Sequence, residues 1–87
     1  MTKRRSKTDI IYSILRTVTK YNPGALKTRI LYQSNLSHPQ LTNYLDLLLE
    51  TGLVTAKTIG QKRVYDITDK GEEFIHTYER MRSILES

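Results

Sequence analysis

The sequence contains no cysteine. That excludes a disulfide framework and the cysteine-based zinc sites, and it fits a reducing compartment. No apolar run approaches the roughly 18 residues of a membrane-spanning helix. Met1 to Lys7 is basic, as the start of a signal peptide is, but the segment after it is amphipathic rather than continuously apolar. A soluble, unprocessed, cytoplasmic chain is expected. The residues of an active site are missing too. There is no glycine-rich phosphate loop and no paired metal ligands, and His38 and His76 fall on separate helices. The reading is therefore not an enzyme, with no metal, cofactor or small-molecule substrate.

What is present is a basic body with a mildly acidic tail. The 87 residues allow one domain, and 38% of them are hydrophobic, enough to fold around a small core. The formal net charge of +5 is unevenly spread. Residues 1–63 hold eleven Lys and Arg against three acids, whereas residues 64–87 hold three against six. A polyanion suits the body, and the tail suits a separate role.

Hydrophobic spacing divides the chain. Ser6-Lys7-Thr8-Asp9 has the form of a capping box, and Ile10, Ile11, Ile14, Leu15 and Val18 follow at helical spacing, which predicts a helix over 7–20. Asn22-Pro23-Gly24 stops it. Residues 26–33 make a short second helix, with Leu26, Ile30 and Leu31 inward and Lys27 and Arg29 outward. After the turn Ser34-Asn35-Leu36, Ser37 caps a third helix over 37–51, with Pro39 in its first turn. Leu41, Leu45 and Leu48 form its inner stripe, and Gly52 stands where a left-handed cap belongs. The period then changes. Residues 53–59 and 63–67 are β-type runs around Gly60-Gln61-Lys62, a hairpin signal, and a last helix follows Thr68 to about residue 86. The predicted fold class is mostly α with a small β-hairpin. It comprises a flexible basic arm over 1–6, a winged helix-turn-helix over 7–68 and a C-terminal dimerisation helix over 69–87.

A helix, a tight turn, a second helix and then a hairpin, in this order, point to double-stranded DNA. With its leucines locked inward, the third helix leaves Ser37, His38, Gln40, Thr42, Asn43 and Tyr44 to face a groove, where short polar side chains reach base edges and phosphates. Gln40 and Asn43 suit adenine. Lys27 and Arg29 on the second helix, Lys57, Gln61, Lys62 and Arg63 on the wing, and Arg4 and Arg5 on the arm suit phosphates or a neighbouring groove.

Gly24 to Tyr32, Asn35-Leu36-Ser37, Tyr44 to Glu50, Gly52-Leu53 and Ile67-Thr68-Asp69-Lys70-Gly71 together resemble the archaeal family of ten-kilodalton winged-helix DNA-binding proteins. The resemblance spans nearly the whole chain. It implies a homodimer joined as an antiparallel coiled coil of C-terminal helices, binding duplex DNA as a transcription regulator or chromatin protein associated with the nucleoid.

The tail makes the same suggestion from its own pattern. Phe74, Tyr78, Met81 and Leu85 are spaced 4, 3 and 4, a coiled-coil seam, with Ile75 and Ile84 beside them. These six are the candidate dimer interface. The same stripe could instead pack back onto the first helix of its own chain. A rival for the whole molecule is a protein-binding module, because winged helices also serve that purpose and fold alone does not fix function.

Overall fold

The computed structural model describes residues 6–21 and 24–86. Arg4 and Arg5 of the arm, and Asn22-Pro23 of the helix stop, lie outside the described residues. The element order is α1 (Lys7–Lys20), β1 (Ala25–Leu26), α2 (Lys27–Ser34), α3 (His38–Thr51), β2 (Val54–Ile59), β3 (Lys62–Ile67) and α4 (Asp69–Glu86).

Local chemistry sets most of these boundaries. The Asp9 amide donates to Ser6 Oγ and the Ser6 amide to Asp9 Oδ2, both at 3.1 Å, so the expected capping box starts α1. Ser37 starts α3 in the same way, with Gln40 as its partner. Gly52 ends α3 in the left-handed region at φ 79°. Its amide donates to the Leu49 carbonyl and the next amide, that of Leu53, to the Leu48 carbonyl, the paired bonds of a Schellman motif. Lys70 Nζ adds a bond to the Thr51 carbonyl at the same helix end (2.7 Å), where a cation is favoured.

Thr68 ties this exit to α4. Its hydroxyl donates to the Gly52 carbonyl (2.6 Å) and lies 3.1 Å from that of Leu53, while accepting from the Gly71 amide (3.0 Å). Gly71 is needed for the fit. A Cβ there would lie 2.3 Å from the Leu53 carbonyl oxygen, so only glycine lets α4 rest against the head of the wing.

The strands form one antiparallel sheet of order β1-β3-β2. The hairpin turn is tighter than the three residues expected, because Lys62 already pairs with Ile59 and only Gly60-Gln61 close the loop. β1 has no signal in the sequence. Two residues carry no periodicity, and Ala25 and Leu26 become a strand only by pairing with Tyr65 and Val64.

Ile14, Leu15, Val18, Ile30, Leu41, Leu45, Leu48 and Val54 fill the core at 0–2% exposure. Each contributes on the order of 1.5–3 kcal/mol by leaving water. The inward stripe predicted for α3 is therefore the one observed, and it holds the opposite face of that helix outward.

The coiled-coil seam expected on α4 is divided in two. Ile75 and Tyr78 are 5% and 6% exposed and belong to the chain's own interior, so they have no surface left for a second copy. Phe74 is partly buried against the core. Met81, Ile84 and Leu85 are exposed, at 47%, 69% and 77%. The physical reason is the contact of α4 with α1, made by its first turns and not by its last.

Candidate nucleic-acid interface

The polar face of α3 is shaped by its own hydrogen bonds. Gln40, expected to read adenine, is exposed but engaged: its Oε1 accepts from the Ser37 backbone amide (2.9 Å) and its own backbone amide donates to Ser37 Oγ (3.3 Å). A bidentate contact with adenine needs that oxygen as well as the NH₂, so the intact cap leaves Gln40 only half of it. Thr42 is half-buried. Its hydroxyl donates to the His38 carbonyl (3.0 Å) and accepts from Lys27 Nζ (2.6 Å), which holds the Lys27 ammonium against the first turns of α3. His38 and Asn43 are exposed, and Tyr44 is half-buried against the core. Arg29 is exposed on α2, its guanidinium 5.4 Å from the Tyr21 ring centre.

Two residues that sequence reasoning left out belong to this face. Lys7, at the start of α1, lines a shallow hollow with Asn43, Tyr44 and Leu47. Nothing in the sequence places residue 7 beside residue 43. Asp46 is exposed one turn beyond Asn43, and the helical period could have found it.

The wing carries its cations in two states. Lys57 is paired: its Nζ lies 2.7 Å from Asp66 Oδ2 on the facing strand. Lys62 and Arg63 are exposed and have no acid partner among the described residues, although the Arg63 guanidinium rests 5.6 Å from the Tyr65 ring centre. Gln61 is exposed in the turn, after Gly60 at φ 63°, the pattern of a type II′ turn. Among the described residues the side-chain hydrogen bonds of this face thus join Lys27 to Thr42 and Ser37 to Gln40 and do not extend to the wing.

Behind this face, α1 and α4 are joined by two phenol–carboxylate bonds that cross between the helices. Tyr12 donates to Glu79 Oε2 (2.7 Å) and Tyr78 to Asp9 Oδ1, with the two rings stacked 4.2 Å apart. The Tyr78 hydroxyl, helped by the Ser6 amide, holds the Asp9 carboxyl below its ordinary range. In return Asp9 raises the Tyr78 phenol, Glu79 raises that of Tyr12, and burial adds to both. Asp9 therefore caps α1 and docks α4 at once.

Among the described residues no three His, Cys, Asp or Glu side chains are grouped to hold a metal ion. No described helix is long and apolar enough to cross a membrane.

A helix-turn-helix whose second helix shows a polar outer face, followed by a hairpin with basic residues at its tip, defines a winged helix-turn-helix protein. The chain matches that family over residues 4–86 and belongs to it. Among solved structures it is similar to Sso10a-2, a DNA-binding protein from Sulfolobus solfataricus, with a TM-score of 0.82 and 29% identity over 94% of this chain and 83% of that one. It shares its fold with MepR, a transcription regulator of the Staphylococcus aureus multidrug efflux pump MepA. There the TM-score is 0.79 and the identity 15%, over 90% of this chain and 59% of that one. An uncharacterized Methanocaldococcus jannaschii protein, MJ0290, is 36% identical over 82 residues. The match covers 94% of this chain but only 36% of the length of that relative.

Proposed function

We propose that this chain binds double-stranded DNA, with α3 in the major groove and the wing along the phosphate backbone, as a small transcription regulator or chromatin-associated protein. The observation that carries the reading is the placement of cations around the outer face of α3. Lys27 is bonded to Thr42 on one flank, Lys7 stands beside Asn43 on the other, and Lys62 and Arg63 sit on the wing without acid partners among the described residues. That is the distribution a duplex needs: donors for the phosphate walls on both sides of a polar helix. The likeness to Sso10a-2, a DNA-binding protein, supports it. Nothing in this arrangement calls for catalysis, and DNA binding would associate the chain with the nucleoid.

Fluorescence anisotropy with a labelled duplex at two salt concentrations tests the reading. Binding at low salt that weakens steeply as salt rises is expected, because phosphate contacts release counterions. Absent or salt-independent binding would turn the case toward a protein-binding module.

The functional unit we propose is a homodimer. Met81, Ile84 and Leu85 at the end of α4 offer the apolar surface for a second copy, in place of the full seam from Phe74 to Leu85.

A further inference from the structure

At 100° per residue, Pro39, Asn43, Asp46 and Glu50 fall within about 60° of one another on α3. That arc lies opposite the buried Leu41, Leu45 and Leu48, and all four residues are exposed. The outermost ridge of the helix in this basic protein therefore carries two carboxylates and no cation.

The polar groups on either side of the ridge are taken. Gln40 Oε1 is held by the Ser37 amide, and the Thr42 hydroxyl lies between Lys27 and the His38 carbonyl. The side chains of Asn43 and Asp46 make no hydrogen bond or ion pair among the described residues. Three residues apart, they are neighbours on the helix surface. Glu50 lies one turn nearer the C-terminal end, away from the part of a recognition helix that reaches base edges.

A carboxylate in the middle of a DNA-facing surface is repelled by every phosphate. It is also repelled by the acceptor atoms of guanine and thymine. In adenine the N6 donor stands beside the N7 acceptor, whereas cytosine offers its N4 amino group without an adjacent acceptor on the same base. The flanking Lys27 and Lys7 are placed to meet the phosphate walls while Asp46 meets the groove floor.

We infer that Asp46 is a specificity-determining residue of this interface, accepting a hydrogen bond from the N4 amino group of a cytosine in the major groove, with Asn43 reading the adjacent base. The inference rests on the DNA reading proposed above. On it, Asp46 selects by exclusion as much as by attraction: it lowers affinity for duplexes without the cytosine, which is how a surface rich in phosphate contacts avoids binding everything alike.

Selection from a randomised duplex pool with the wild-type protein, followed by anisotropy on the selected duplex, tests it against two variants, Asp46→Ala and the double variant Lys62→Ala/Arg63→Ala. Asp46 is exposed and alanine is the stronger helix former, so the first variant keeps its fold. The wild type is expected to select a cytosine, and replacing that C·G pair by T·A should weaken it about tenfold. Asp46→Ala should bind the two duplexes equally, and random duplex more tightly than the wild type does. The wing variant should weaken on both duplexes alike and keep the preference. If Asp46→Ala retains the wild-type preference, or if the wild type binds duplex in a salt-dependent manner without selecting any base, the role of Asp46 is overturned and the DNA reading stands. Absence of any salt-dependent duplex binding by the wild type overturns both.

Discussion

Lys57 and Asp66 meet diagonally across the hairpin, Nζ to Oδ2 at 2.7 Å, and the pair separates one wing cation from the other two. With its charge balanced locally, Lys57 has less to offer a phosphate than Lys62 and Arg63. The double variant Lys62→Ala/Arg63→Ala should flatten the dependence of log K on log salt by about 2, close to one unit per lost phosphate contact. Lys57→Ala should flatten it by well under 1. An equal effect of Lys57→Ala would mean that the pair opens on DNA.

Gln40 serves the helix before it serves any groove. Gln40→Ala removes the bond to the Ser37 amide and should lower stability by about 1 kcal/mol, read from the urea midpoint. The base preference of the protein should be unaltered by it. Gln40→Glu restores the box and favours the positive end of the helix, so it should recover the stability while weakening DNA binding through its charge. A change of base preference in Gln40→Ala would show that the cap opens to read.

The bonds between α1 and α4 make stability depend on pH at both extremes. Asp9 titrates below its ordinary 3.8 when folded, so its contribution is present above that value and is lost as pH falls through the lower folded value. The Tyr78 and Tyr12 phenols titrate above 10.0 when folded; their contribution is complete below that value and is lost as pH rises through the folded values. Tyr78→Phe keeps the ring on Tyr12 but removes the hydroxyl. Urea midpoints measured across pH should be lower for this variant near neutrality and should fall less steeply at each extreme. Profiles parallel to the wild type would show that the Tyr78–Asp9 bond does not form in solution.

The division of the α4 stripe changes how a dimer must be tested. Tyr78→Glu would place a charge in the chain's own interior and unfold it, whatever its effect on association. Met81→Glu/Leu85→Glu alters only exposed positions and should leave the circular dichroism intact. Sedimentation is expected to give twice the chain mass for the wild type and a single chain mass for this double variant. An unchanged mass would exclude the end of α4 as the interface.

What the sequence determined by itself is what neighbours within a few residues can arrange. The Ser6–Asp9 box, the Ser37 cap, the leucine stripe of α3, its stop at Gly52 and the hairpin are all local, and all were legible. The two-residue turn and the place of Lys62 in the strand differed by one position, because register depends on the facing strand. Asp46 was also within reach, since Pro39, Asn43 and Asp46 follow the same helical period that revealed the leucines. Gln40 shows the opposite difficulty: its place in a capping box and its suitability for a groove are both local signals, and only the hydrogen bonds decide between them.

The rest belongs to the tertiary structure. β1 exists because two residues meet a strand about forty positions away; no pattern within Ala25-Leu26 encodes that meeting. Lys7 stands beside Asn43, and Lys27 bonds to Thr42, because the helices cross there. The tail shows the division most plainly. Its 4, 3, 4 spacing established that one face of α4 is apolar, but not what covers it. The return of the chain onto α1 buried Ile75 and Tyr78 and left Met81 and Leu85 exposed, because periodicity gives the direction of a face and only packing supplies its partner.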